Sequence, residues 1–288
     1  MNWLEWLTPW EFSPTLIVTF VICGVLFWRG SRVHAVQKSR QWLFWIGFIA
    51  LYLNLHTLVD YYSERMFFIH RIQHLFLHHL LPLLIMLSYP GQVMRAGLPL
   101  AWRRRWRDFL CTPTGLRVKN TFTHPVLVPF LFVFFVLVWL LPIPQFYSMI
   151  DWRLYRFMNW SVVISGLMYW NLILDRRPAP PARMKPWGRV VSPLITMAPQ
   201  IVVGAYITFA TQDLYPIFDL CGRAIPSFDA LKDQAVGGLV MWVAAGLVET
   251  FGIAYALATV VRLSAKGRLQ SDLVQRLGLS TQKTTLSS

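Results

Sequence analysis

Four histidines and one methionine carry the chemistry that this sequence offers. His70, His74 and His78 recur at four-residue spacing in the run ERMFFIHRIQHLFLHHLLPLL. On a helix that spacing aligns them along one face with a slow drift. Each step climbs about 6 Å, so His70 and His74 are placed to bind one ion together, as imidazoles at this spacing do on metalloprotease helices. His70 and His78 are about 12 Å apart along the axis, too far to share an ion. His56 stands four residues before Asp60 on the preceding apolar run. The short Asp60–Arg65 connection makes the two runs antiparallel neighbours, which sets His56 and His70 at similar depth. Asn54, Asp60 and Glu64 are then available to hydrogen-bond and orient ligating imidazoles. Met241, about two turns into the last apolar run, adds a thioether, a soft donor that favours Cu(I).

The bland alternative is that each histidine is an interior residue satisfied by hydrogen bonds, and that Met241 only packs. Three imidazoles on one stripe, with a fourth on the adjoining run, weigh against coincidence. Haem held by histidines from two neighbouring helices is the alternative cofactor. His79 points off the stripe and reads as structural, and His34 and His124 read as solvated or interfacial. Arg71, Gln200 and Glu249 are further polar groups inside apolar runs; Arg71 is expected to pair with Asp60 or Glu64. Glu249 must be protonated or paired, with a proton relay as its functional option. The sequence holds no HExxH, P-loop, GxSxG or Rossmann fingerprint, so it points to a non-enzyme.

Such residues need a scaffold, and composition says which kind. Charged residues are 14% of the 288, hydrophobic residues 56% and aromatics 15%. A soluble domain carries roughly 25% charge, so a water-soluble enzyme and a disordered chain are both disfavoured. A bilayer core needs about 20 mostly apolar residues per helix. Seven runs qualify: Pro14 to Trp28, Trp42 to Asp60, Arg65 to Tyr89, Pro125 to Leu141, Leu154 to Leu174, Val190 to Ala210 and Ala235 to Val261. The expected fold is all-α, a polytopic seven-transmembrane-helix bundle over residues 1–264 with a partly disordered cytoplasmic tail over 265–288.

Charge sets the expected orientation. Lys and Arg number 27 against 13 Asp and Glu, a net +14. Twenty-one of the 27 fall in the first, third and fifth loops and the tail, against five in the alternate segments. Basic loops stay cytoplasmic, so the N-terminus faces outward and the C-terminus inward. The same rule accounts for the basic surplus without nucleic acid. Cys23, Cys111 and Cys221 form no CxxC pair and define no disulfide framework. MNWLEWLTPWEF lacks the basic n-region of a cleaved signal peptide, so the first run reads as a retained helix. Gly246, Thr250, Ala254 and Ala258 make a smooth stripe suited to close helix packing.

Several blocks together resemble one family. His70-Arg71-Ile72-Gln73-His74, followed by LLPLLIMLSYPG, resembles the His-Met-x-Gln-His segment of the polytopic CtaG family of cytochrome c oxidase assembly factors. GLMYWNLI (Gly166 to Ile173) is similar to that family's Gly-Leu-x-Phe-Trp segment, and GAYITFATQDLYPIF (Gly204 to Phe218) to its sixth-helix ending. The block from Asp233-Gln234 through Gly237-Gly238 to Met241-Trp242 resembles its Asp-Gln-x-x-Gly-Gly-x-x-Met-Trp block. The resemblance spans roughly Pro14 to Arg262. It implies a multi-pass protein of a bacterial inner (plasma) membrane with a role in maturing a haem–copper oxidase, in copper handling or delivery, with oxidase subunits or other assembly factors as partners. A cofactor-free scaffold for oxidase subunits is the other reading. The chain departs from the pattern where members carry histidines: Leu141 precedes Pro142, and Tyr155 and Asn159 stand near the start of the fifth run.

Overall fold

The computed structural model describes residues 12–225 and 227–269. The expectations for MNWLEWLTPWE and for the tail beyond 269 therefore lie outside the described residues. Within them the regular structure is helical, with no strand.

Helices α1 (Pro14–Val33) and α2 (Lys38–His56) come first. Thr57 then breaks the second run, which the sequence carries on to Asp60. Its backbone is extended and its hydroxyl caps the short α3 (Leu58–Ser63). The histidine-bearing rod follows as α4 (Phe67–His74), a π-helical turn (Leu75–Leu80) and α5 (Leu81–Leu87). Pro82 has no N–H for the His78 carbonyl four residues back, and the rod widens there, with the Leu81 N–H reaching Phe76. The chain then bends by 69° into α6 (Pro90–Gly97). The arginine-rich third loop is itself helical, as α7 (Leu100–Cys111) and α8 (Pro113–Phe122). No residue of α7 is buried, so it is a surface element. The helices α9 (Leu127–Val138), α10 (Pro142–Ile150), α11 (Trp152–Ile173), α12 (Pro186–Phe209), α13 (Ile217–Leu220) and α14 (Ala230–Leu239) follow. A second π turn (Val240–Ala244) joins α14 to α15 (Ala245–Ala265).

Among the described residues three helices are long and apolar enough to cross a membrane: α1, α12 and the rod Ala230–Ala265. The number becomes five if the bent pairs Phe67–Leu87 with Pro90–Gly97, and Pro113–Phe122 with Leu127–Val138, each make one span. The exposed surface fits that reading, since α12 turns Leu194, Ile195, Val202 and Phe209 outward. Apolar surface of this extent is unusual on a soluble monomer.

Close packing is set by glycines where helices cross. A Cβ on Gly30 would lie 1.8 Å from the Val93 carbonyl, and one on Gly97 would lie 1.9 Å from that of Leu26, so α1 and α6 meet backbone to backbone. The Pro-rich segment between α11 and α12 is held by buried Arg189. Its guanidinium donates to the carbonyls of Met184, Asp175 and Arg177. At the centre, α11 packs against the histidine rod, because Gly166 leaves the room that the π turn occupies.

Candidate metal centre

The two π turns pack against each other, and the candidate site lies where they meet. Its cavity holds about 30 Å³, room for an ion or a water. His74, His78, His79, Met241, Arg71 and Gln200 are among its walls.

His70 and His74 are brought together as their spacing predicts, with ring centroids 4.4 Å apart. His70 is fully buried, and its Nε2 faces the Gln145 amide at 3.3 Å. The regular spacing does not continue to His78. The π turn adds a residue to the circuit and carries both His78 and His79 inward, 1% and 3% exposed. His79 is therefore not off the stripe. Its Nε2 lies 3.3 Å from Glu249 Oε1, and its Nδ1 lies 3.2 Å from His78 Nδ1.

Glu249 has partners on three sides: Thr196 Oγ1 donates at 2.7 Å, Gln200 Nε2 at 2.7 Å, and His79 Nε2 completes the set. Three donors around one carboxyl suit the ionised form. With Glu249 ionised, one set of tautomers joins the chain. His79 gives its Nε2 proton to the carboxylate, so its Nδ1 accepts from His78 Nδ1–H. His78 Nε2 is then left with a bare lone pair. It is buried and has no hydrogen-bond partner, as is His74 Nε2. Two unpartnered imidazole nitrogens and a buried thioether thus border one small cavity.

His56 is not part of this arrangement. It borders a separate cavity of about 230 Å³ with Asp60, Glu64, Tyr155 and Asn159. Both its nitrogens have partners, with the Ser13 N–H on Nε2 at 3.3 Å and the Tyr52 hydroxyl on Nδ1 at 2.7 Å. Tyr155 and Asn159, standing where the resemblance leads one to expect histidines, border the same cavity. Tyr155 donates to Asp60 at 2.6 Å. Asp60 also accepts from Gln73, at 2.7 Å. Arg71 finds a neutral partner, Gln145 Oε1 at 3.0 Å, where an acid was expected. Its guanidinium also lies 5.1 Å from the Phe67 ring centroid.

The block from Asp233 to Trp242 explains how the rod is held. Met66 at the head of α4 offers no side-chain cap. Asp233, fully buried, takes its place from α14 and accepts the N–H groups of Phe67 at 3.0 Å and Phe68 at 2.8 Å. Arg223 neutralises the same carboxylate at 2.6 Å. Gln234 ties α14 to the preceding loop, accepting from the Leu214 N–H at 2.8 Å. Gly237 admits the Phe67 ring, which would lie 2.3 Å from a Cβ. Gly238 and Gly204 let α14 and α12 close, and Trp242 packs on Gly204. Met241 then falls at the cavity.

The donor set fits a soft monovalent ion. Neutral imidazoles and a thioether suit Cu(I), and Arg71 in the same wall repels a divalent ion more than a monovalent one. Among the described residues no group of three or more His, Cys, Asp or Glu side chains is placed to hold a metal. Any ion here must therefore use Met241 or fewer protein ligands. Sequence reasoning missed Gln145, Thr196 and the role of His79. No spacing rule announces the π turn that brings His79 inward, although Pro82 is a local signal for it.

Among the described residues, helices without strands, several apolar rods of bilayer length and a buried polar centre define the class, a helical protein suited to a membrane. The family model of the cytochrome c oxidase caa3 assembly factors (Caa3_CtaG) matches residues 18–263, and the chain belongs to that family. It is also similar to an uncharacterised protein of Mycobacterium leprae (strain TN), at 23% identity over 94% of this chain. This chain spans 42% of that relative's length. No solved structure matches.

Proposed function

We propose that this chain is an integral membrane assembly factor for a haem–copper cytochrome c oxidase, without turnover chemistry, that holds Cu(I) between His74, His78 and Met241. The observation that carries the reading is the pair of buried, unpartnered Nε2 atoms bordering one cavity with a thioether. His70 lies beside His74, the two rings tilted by 38° to each other. His79 and Glu249 orient His78, as carboxylate–histidine pairs orient metal ligands elsewhere. A bound copper ion would supply the metal to be passed to an oxidase subunit or another assembly factor. The volume favours an ion over haem, since pockets for cofactor-sized molecules run to roughly 300 Å³ and more.

Seven spans complete the proposal. To the three rods and two bent pairs it adds α2 and α11, of 19 and 22 residues, about 28 and 33 Å long. Trp, Tyr, Asn and Ser lower their hydropathy without shortening them. The basic residues favour an N-terminus outside and a cytoplasmic C-terminus, and the mycobacterial relative supports a bacterial plasma membrane. Purified protein titrated with Cu(I) under a competing chelator tests the site. His74→Ala and His78→Ala together are expected to weaken binding by at least tenfold while the protein stays monodisperse. Equal affinity in the double variant rejects the site.

A further inference from the structure

A further cavity, of about 420 Å³, lies where the start of α2, the bend into α6 and the loop after α11 meet. Its walls include four arginines, Arg40, Arg95, Arg176 and Arg177, against one acid, Asp175. Asp175 is taken, since Arg177 grips it in a fork with contacts of 3.0 and 2.8 Å. No carboxylate among the described residues pairs with Arg40, Arg95 or Arg176.

The uncompensated charges are gathered rather than dispersed. The Arg40 and Arg176 guanidinium carbons lie 5.1 and 5.0 Å from the centroid of one ring, that of Tyr89. Arg176 is fixed by donation to the Tyr255 hydroxyl, and Tyr89 by donation to the Leu174 carbonyl at 3.0 Å. Tyr89 also has φ 55°, a left-handed conformation rare for a side chain of this size. That residue turns the chain so that the first turn of α6 borders the cavity, with Gly91 and Gln92 in its wall. Their N–H groups have no partner within the helix and add to the positive field. A Cβ at Gly91 would meet nothing within 4 Å, so the space before it is open.

We propose that this cavity binds a phosphate ester, with Arg40 and Arg176 flanking the anion and Arg95 and the α6 N-terminus completing the cradle. Guanidinium forks match phosphate oxygens, and an anion between like charges turns their repulsion into attraction. The ligand chemistry is shared by an anionic phospholipid headgroup and a soluble phosphate ester, and the test separates them.

The full chain, delipidated in an uncharged detergent, would be titrated with glycerol 3-phosphate and with dihexanoyl phosphatidylglycerol, read by thermal shift. A saturable rise in melting temperature with either probe supports the site. A rise with the lipid alone assigns a headgroup, and a rise with both assigns any accessible phosphate ester. Gly91→Asp puts a carboxylate into the open space without a clash and at a helix end that favours it. That variant is expected to melt no lower than the parent when unliganded and to bind at least tenfold more weakly. Arg40→Gln should weaken binding to a similar degree. No shift with either probe on the parent, or unchanged affinity in Gly91→Asp, overturns the proposal.

Discussion

Asp233→Asn is the sharpest probe of how the histidine rod is held. The substitution keeps shape and volume but replaces one carboxylate oxygen by an NH2 group. Asp233 has three donors to satisfy, the N–H groups of Phe67 and Phe68 and the guanidinium of Arg223, so at least one would meet another donor. The carboxylate is fully buried, whereas the Arg223 side chain is 11% exposed and has a second partner in Asp219. Breaking a buried pair by removing one member costs about 3–5 kcal/mol, and the residual exposure places this one near the lower bound, about 3 kcal/mol. For a chain of this size that is a fall of roughly 6–12 °C in apparent melting temperature. Heating the detergent-solubilised protein and following the monodisperse fraction by tryptophan fluorescence reads it directly. Arg223→Gln in the same background should recover part of the loss, because it removes the stranded charge. A melting temperature within about 2 °C of the parent, or strict additivity of the two changes, would refute the capping argument.

Three further outcomes follow from the same geometry. Gly166→Ala drives a Cβ to 2.3 Å from the His78 carbonyl, so it should cost about 1–3 kcal/mol and weaken Cu(I) binding, whereas Gly246→Ala, whose nearest neighbour is Met197 at 3.5 Å, should do neither. Glu249→Gln removes the charge that fixes the His79 and His78 tautomers. Chelator competition should show Cu(I) affinity down by about 10–100-fold, and an unchanged value would reject the orienting role. Asp175 lies in the loop before α12. Burial pushes its carboxyl up, but hydrogen bonds from the Arg177 side chain and backbone outweigh this and hold it below its ordinary value. Its contribution is therefore present above the ordinary carboxylate range and lost as pH falls through the lowered value, so Asp175→Asn should melt below the parent at pH 7 and match it in strong acid.

The helical class, the apolar rods and the pairing of His70 with His74 were legible in the sequence. Each rests on a local period, and a period survives whatever the rest of the chain does. The family resemblance was legible for a related reason. The Asp233–Trp242 block is a contact surface written into one helix, with Asp233 at the cap, Gly237 under the Phe67 ring and Met241 at the cavity. What that block touches was not legible, because α14 meets α4 across more than 160 residues of chain. The separation of His56 from the other imidazoles was hidden too. It follows from Thr57 ending α2 early and from Ser13 and Tyr52 occupying both ring nitrogens. Sequence by itself determined which residues could serve as soft donors and that they ride on apolar helices. Only the tertiary structure decided which of them meet, since two π turns change the angular register of His78, His79 and Met241, and a rotation of that kind leaves no trace in residue spacing.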